Sequence, residues 1–195
     1  MNNLIFKVIR AGINTTYQDK GRYGLQHIGV TPGGCVDQKS FLIANALVRN
    51  SNNTGVIEFA YQGPLLQLAK GKTKIAITGN VHFKIIKLNS EIIDGKCNRT
   101  YNLNAGDQID ILATKRSVYG YLSAEGGFKI QSFCNSVSTL IKANIGPNNG
   151  SAIKVGDKIT INKNRKNKSD FIATVPIKSN NTIRVLKGPQ YDYFS

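Results

Sequence analysis

The sequence predicts a mainly β protein, an antiparallel barrel or sandwich that carries one prominent helix. Three observations lead there. Short runs rich in β-branched and aromatic residues recur along the chain, separated by Gly, Pro and Asn turns. Only the stretch after Asp37 places apolar residues at helical spacing. With 195 residues, 41% of them hydrophobic, the chain can bury a core and is too apolar to remain disordered.

The elements follow in order. Leu4 to Arg10 (LIFKVIR) reads as a strand. Ala11 to Val36 reads as a long turn-rich stretch, with Gly12, Gly21, Gly24, Gly29, Gly33, Gly34 and Pro32. Asp37 is a good N-cap for a helix through Phe41, Leu42, Ala44, Asn45, Leu47 and Val48, which Asn50 to Asn53 end. Strand-like runs then cover residues 56–61, 65–69, 74–78, 82–88, 108–112 and 118–124, with turns between them such as Gly63-Pro64, Asp94-Gly95 and Ala105-Gly106-Asp107. LNAGDQIDI, from Leu103 to Ile111, is echoed by IKVGDKITI, from Ile153 to Ile161. In both, a Gly-Asp pair suits a tight entry into a strand. Asn162 to Asp170 reads as a linker, after which residues 171–177 and 182–186 resume strand character and GPQYDYFS opens another element.

Composition narrows the function. The net charge is +15, from 26 Lys+Arg against 11 Asp+Glu, which raises nucleic-acid or anionic-membrane binding. The excess is mostly scattered Lys in an Asn-rich chain, as an AT-rich coding sequence supplies. The one dense basic run, residues 162–168, has no aromatic residue to stack a base and reads as a solvated loop. No apolar run is long enough to span a bilayer, and MNNLIFKVIRAG is too short for a signal peptide. Cys35, Cys97 and Cys134 fit reduced thiols in a cytoplasmic chain. His27 and His82 lack ligand-spaced partners, so no metal site is expected.

Chemistry concentrates in Gly21 to Asn50. GRYGLQHIG has neither the Lys-Ser/Thr end of a phosphate-binding P-loop nor the dinucleotide spacing, and no G-x-S-x-G is present. Gly33-Gly34 just ahead of a helix start suits backbone N–H groups facing an anion, and Arg22 suits a planar clamp on a carboxylate or phosphate. The same glycines also suit a purely structural loop. Asp37 reads as helix cap or base. Asn45 reads as an internal hydrogen-bonding residue or a ligand contact. Glu58, within VIEFAY, reads as a residue facing a solvated lumen or as a buried carboxylate with a shifted pKa. Ser136, Ser138 and Thr139 form a hydroxyl cluster suited to capping the next turn.

These residues also fall into a known pattern. Arg10-Ala11-Gly12, Thr16 to Asp19, Gly21 to Gly24, Gly29, Asp37 and Ala44 to Asn50 come in order. Glu58, Thr78-Gly79, Ala105-Gly106-Asp107, Tyr121 to Gly127, Ser136 to Thr139, Gly156-Asp157, Arg184-Val185-Leu186 and Gly188-Pro189 follow. The order resembles the allophanate hydrolase subunit 2 family, also called the biotin-dependent carboxyltransferase domain family. Its members include the C subunit of 5-oxoprolinase and the carboxyltransferase part of urea carboxylase. Two positions depart from the pattern: Arg49 and Asn135 stand where the family usually has Gly. Family proteins are also longer.

The resemblance implies a cyclophilin-like β-barrel lobe over residues 1–168 and the start of a second, truncated lobe over 169–195. It implies a subunit, or the N-terminal part of one, of an ATP-dependent 5-oxoprolinase or a biotin-dependent carboxyltransferase, acting on a small cyclic amide or urea-type substrate. The alternative is a truncated, non-catalytic binding or regulatory module. Implied partners are an allophanate hydrolase subunit 1-like protein, similar to the B subunit of 5-oxoprolinase, and a protein similar to its A subunit. ATP would enter in the assembled complex, biotin only from a partner segment, and no cofactor would be covalently bound. Asp37 and Glu58 are the catalytic candidates; Arg22, Gly33, Gly34, Asn45, Ser136, Ser138 and Thr139 are the substrate-binding candidates.

Overall fold

The computed structural model describes residues 4–162, 169–174 and 185–193. Eleven strands are present among them: β1 (Leu4–Arg10), β2 (Ile13–Gln18), β3 (Val56–Ala60), β4 (Leu65–Lys70), β5 (Lys72–Gly79), β6 (Val81–Ile86), β7 (Ile92–Asp94), β8 (Arg99–Asn104), β9 (Gln108–Thr114), β10 (Tyr119–Ala124) and β11 (Lys158–Ile161). The long helix α1 spans Gln38–Leu47. All strand pairings are antiparallel. One sheet has the order β11-β1-β4-β9-β6-β7 and the other β2-β3-β10-β5-β8. The mainly β fold with one helix is as expected, but the two sheets stack without closing into a barrel.

Alternation along the strands sets the layers. Phe6, Leu66, Leu68, Phe83, Ile109 and Ile111 of the six-stranded sheet meet Ile57, Phe59, Ile75, Ile77 and Leu122 of the five-stranded sheet in the main core. The opposite face of the five-stranded sheet receives α1. Phe41 and Ala44 pack on Val56 and Tyr121, and Leu47 and Val48 pack on Ala76. The five-stranded sheet is therefore covered on both faces, which is why β3 is buried at every position. The polar residues of its runs, Glu58, Thr78, Tyr121 and Ser123, alternate with the inward apolar ones and share the helix-side face. Thr78 donates from its hydroxyl to the Ser40 carbonyl at 2.8 Å, fixing the helix on that face.

The repeated Gly-Asp signal is a repeated structure. Gly106 and Gly156 have φ of +95° and +89°. Asp107 accepts from the Asn104 amide at 2.9 Å and Asp157 from the Lys154 amide at 2.8 Å. Each turn also grips the neighbouring strand: Gly106 N–H donates to Leu68 O and Leu68 N–H to Asp107 O, as Gly156 N–H donates to Val8 O and Val8 N–H to Asp157 O.

Some expectations fail. β2 lies inside the stretch read as turns: Ile13, Thr15, Thr16 and Tyr17 suit a strand, but Gly12 and Asn14 beside them read as turn signals. β7 and β8 fall where no strand is expected; RTYNLN is polar because its face toward solvent is. The basic run at 163–168 lies outside the described residues, as do 175–177 and 182–184 of the later strand-like runs and the last two residues of GPQYDYFS. Residues 169–174 lie along the β8 edge. Phe171 O accepts from Thr100 N–H at 3.0 Å and Ala173 N–H donates to Asn98 O at 2.8 Å. Asp170 pairs with Lys74 at 2.9 Å, and the Arg49 guanidinium sits 4.5 Å from the Phe171 ring centroid. No helix among the described residues is long and apolar enough to cross a membrane.

Candidate functional site

The loop between β2 and α1 is held closed by its own backbone. Arg22 N–H donates to Pro32 O at 2.8 Å and Cys35 N–H to Asp19 O at 2.9 Å. Close approach requires glycine at its neck: at Gly34 (φ +101°) a Cβ would stand 2.7 Å from the Lys20 carbonyl oxygen. Asp19, 2% exposed, ties this loop to the segment after β10. Its carboxylate accepts from Gly21 N–H at 2.8 Å, from the Ser136 hydroxyl at 2.7 Å and from Val137 N–H at 2.8 Å.

Six sequence candidates converge there. Ser138 Oγ accepts from Gly34 N–H at 2.7 Å and donates to Gln18 Oε1 at 2.6 Å, while Ser138 N–H donates to Ser136 Oγ at 3.0 Å. Gln18 Nε2 donates to the Thr139 carbonyl at 3.0 Å. A Cβ on Gly33 would meet Ser138 Oγ at 2.8 Å and Arg22 Nη1 at 3.4 Å, so its lack of a side chain keeps the space between them. Arg22 is 2% exposed. Its Nη2 donates to the Ser138 carbonyl, while Nε and Nη1 are buried with no acceptor among the described residues. Unmet buried donors are costly, more so when charged. A guanidinium so arranged is suited to a carboxylate or carbonyl oxygen. The Phe133 ring, 47% exposed, lies over it with its centroid 5.9 Å from Cζ.

A second cluster sits at the start of α1. Glu58, 3% exposed, accepts from Val36 N–H at 2.9 Å and is hydrogen-bonded to the Tyr121 hydroxyl. Asp37 N–H donates to Tyr121 Oη at 2.7 Å. Burial pushes the Glu58 carboxyl above its ordinary range, against the lowering effect of those two donors. It also drives Cys35, with help from Glu58, up to about 12, so that thiol is not a ready nucleophile. Glu58 therefore faces the helix and loop, not a solvated lumen. Asp37 is a helix cap: its carboxylate accepts from Ser40 N–H at 3.0 Å and the Ser40 hydroxyl at 2.5 Å.

Asn45 belongs to a third, separate network. Its Nδ2 donates to Thr54 O at 2.8 Å, and its Oδ1 accepts from the Ser123 hydroxyl at 3.0 Å. Asn50 extends this network, donating to Ala124 O at 2.8 Å and accepting from Gly126 N–H at 2.9 Å. Asn45 shares no partner with Arg22, and its amide binds helix to sheet. Asp19, Gln18 and Tyr121 belong to the candidate site, and Asn50 to the separate network, without having been singled out from the sequence. The signal for the first two is their place in TYQD; for Tyr121 it is the period-two spacing that aligns it with the helix-side face. Arg49 and Asn135, which replace glycines of the resembled pattern, have φ of +55° and +59°, the left-handed region that favours glycine. Among the described residues no group of three His, Cys, Asp or Glu stands close enough to hold a metal ion.

The loop, helix and sandwich have recognisable counterparts. A family model described as the carboxyltransferase domain, subdomain A and B, matches residues 28–195. The C subunit of 5-oxoprolinase from Escherichia coli is 28% identical over 194 residues, covering 97% of this chain and 60% of that protein. Urea amidolyase of Lachancea kluyveri is 35% identical over 159 residues, 81% of this chain but 8% of that far longer protein. The crystal structure of the K. lactis urea amidolyase superposes with a TM-score of 0.76 at 32% identity, covering 84% of this chain and 10% of that one. The chain thus spans about three fifths of the E. coli protein and a small part of the urea amidolyases. On the match over residues 28–195, the chain belongs to the carboxyltransferase-domain family, subdomains A and B.

Proposed function

We propose that the chain works as a subunit, or the N-terminal part of one, in an ATP-dependent 5-oxoprolinase or carboxyltransferase-type enzyme acting on a small cyclic amide or urea-type substrate. The observation that carries this reading is Arg22: a buried guanidinium with Nε and Nη1 unpartnered beside Gly33 and Ser138. Those two donors are assigned the carboxylate of 5-oxoproline or the carbonyl oxygen of a urea-type substrate. Gly33, Gly34, Ser136, Ser138 and Thr139 keep the guanidinium in place. Glu58, whose carboxyl burial holds above its ordinary range, is assigned proton handling, and Asp37 sets the helix start beside it. Asn45 serves the frame. The assembly would include two partners in the cytoplasm, one like allophanate hydrolase subunit 1 and one like the A subunit of 5-oxoprolinase. ATP would be used by the complex and biotin brought only by a partner segment.

The test is reconstitution. The chain is mixed with the two partner proteins, and glutamate release from 5-oxoproline is followed with and without ATP. ATP-dependent release that requires the chain supports the reading. Arg22→Lys keeps the charge but loses the planar fork, and is expected to lower kcat/KM about tenfold to a hundredfold, the value of a charge-assisted hydrogen bond. Full activity from the partners alone would overturn it.

A further inference from the structure

Beside the Arg22 site, and outside the hydrogen-bond network just described, lies a cleft of about 490 Å³. Its walls come from three places: the segment after β10 (Lys129, Gln131, Phe133), the turn at Asn148 and Asn149, and the β11 edge at Lys158. The two lysines come from different segments but are built into one frame, since Lys129 N–H donates to Thr160 O at 2.8 Å on the same strand as Lys158. No carboxylate among the described residues lines the cleft. Neither lysine forms an ion pair among the described residues, whose ion pairs are Arg10–Asp110, Lys74–Asp170 and Lys87–Asp107. Asp157, the residue before Lys158, accepts from the Lys154 amide and keeps its charge, which bears on Tyr17 at the cleft wall, but it is not part of the lining.

We propose that this cleft binds a phosphomonoester whose organic part rests on Phe133 while its phosphate lies between Lys129 and Lys158. Charge decides the class. Two lysines in a lining that holds no carboxylate match the charge of about −1.5 to −2 on a phosphomonoester at neutral pH better than that of a monocarboxylate. Ammonium groups serve phosphate as point charges, whereas planar carboxylate recognition favours the fork of an arginine. The amides of Gln131, Asn148 and Asn149 supply further donors, and Phe133 offers an exposed ring face. The volume admits a ligand well beyond a bare anion. This site does not depend on the activity assigned to Arg22, so either can fail alone.

The experiment is calorimetric titration of the full 195-residue chain at low salt with four probes: phenyl phosphate, inorganic phosphate, benzoate and glutarate. Phenyl phosphate is expected to bind at least tenfold more tightly than benzoate or glutarate, and more tightly than inorganic phosphate. Lys129→Gln with Lys158→Gln should weaken it at least tenfold. Phe133→Ala should reduce phenyl phosphate to the level of inorganic phosphate. Lys39→Gln with Lys72→Gln removes the same charge elsewhere and should change affinity less than twofold. Circular dichroism checks that each variant keeps its strands. Three results would overturn the proposal: no heat with phenyl phosphate, glutarate binding as tightly as phenyl phosphate, or equal losses in the two lysine pairs, which would show that net charge alone attracts the anion.

Discussion

Asp19→Ala tests the organisation of the loop most directly. The Asp19 carboxylate accepts from Gly21 N–H, the Ser136 hydroxyl and Val137 N–H, all within 2.8 Å, at a position 2% exposed. Alanine removes all three acceptors and puts nothing in their place. A buried donor left unsatisfied costs about 1–3 kcal/mol. The Ser136 hydroxyl can rotate toward another acceptor, so its share is small. The two amides cannot turn, so the expected loss is about 2–6 kcal/mol. Asp19→Asn keeps one oxygen but turns an amide N–H₂ toward a donor, and should lose about half as much. Urea unfolding followed by far-UV circular dichroism measures the global loss. Amide hydrogen exchange of Gly34 and Cys35 reads the local one, and both should exchange faster if the loop detaches from Ser136–Ser138. A loss below about 1 kcal/mol with unchanged exchange would refute the assignment of Asp19 as the anchor of this loop.

Three further outcomes follow from the same geometry. Because Glu58 binds its proton more tightly when folded than unfolded, its contribution is fully present below its unfolded pKa near 4.5 and declines as pH rises through the folded value. Glu58→Gln should therefore flatten the fall of stability with pH above 4.5, as thermal melts across pH 4 to 8 will show; an unchanged slope would count against a buried, proton-retaining Glu58. Asn45→Ala strips partners from Thr54 and Ser123 and should cost about 2–3 kcal/mol in urea melts, with no change in KM in the reconstituted enzyme. Gly34→Ala combines φ of +101° with a Cβ 2.7 Å from the Lys20 carbonyl oxygen, and should lose about 2–4 kcal/mol by the same melts, since backbone has to move.

Sequence reading reaches the layers of this protein better than its contacts. The apolar alternation in VIEFAY and the cap at Asp37 identify β3 and α1, because periodicity and capping are local signals. β2 and β8 escape, since INTTYQ and RTYNLN owe their strand state to partners far along the chain. Arg22, Gly33, Gly34 and the Ser136–Thr139 cluster each stand out by residue type and position. That they meet depends on Asp19 and Gln18 bonding across more than a hundred residues, which spacing does not encode. Asn45 and Glu58 show the limit from the other side: both are polar residues in apolar settings, yet one closes a structural network and the other lies behind the loop. Side-chain type alone does not separate those fates.

The matched Gly-Asp turns have a consequence for the six-stranded sheet. They clasp β1 and β4, neighbours inside that sheet, from outside, each through a reciprocal pair of main-chain bonds at Val8 and Leu68. Sliding either strand by one residue would turn its apolar side chains outward and open a clasp as well. The sheet is thus indexed twice by the same small device, and the alignment of its strands does not rest on hydrophobic contrast alone.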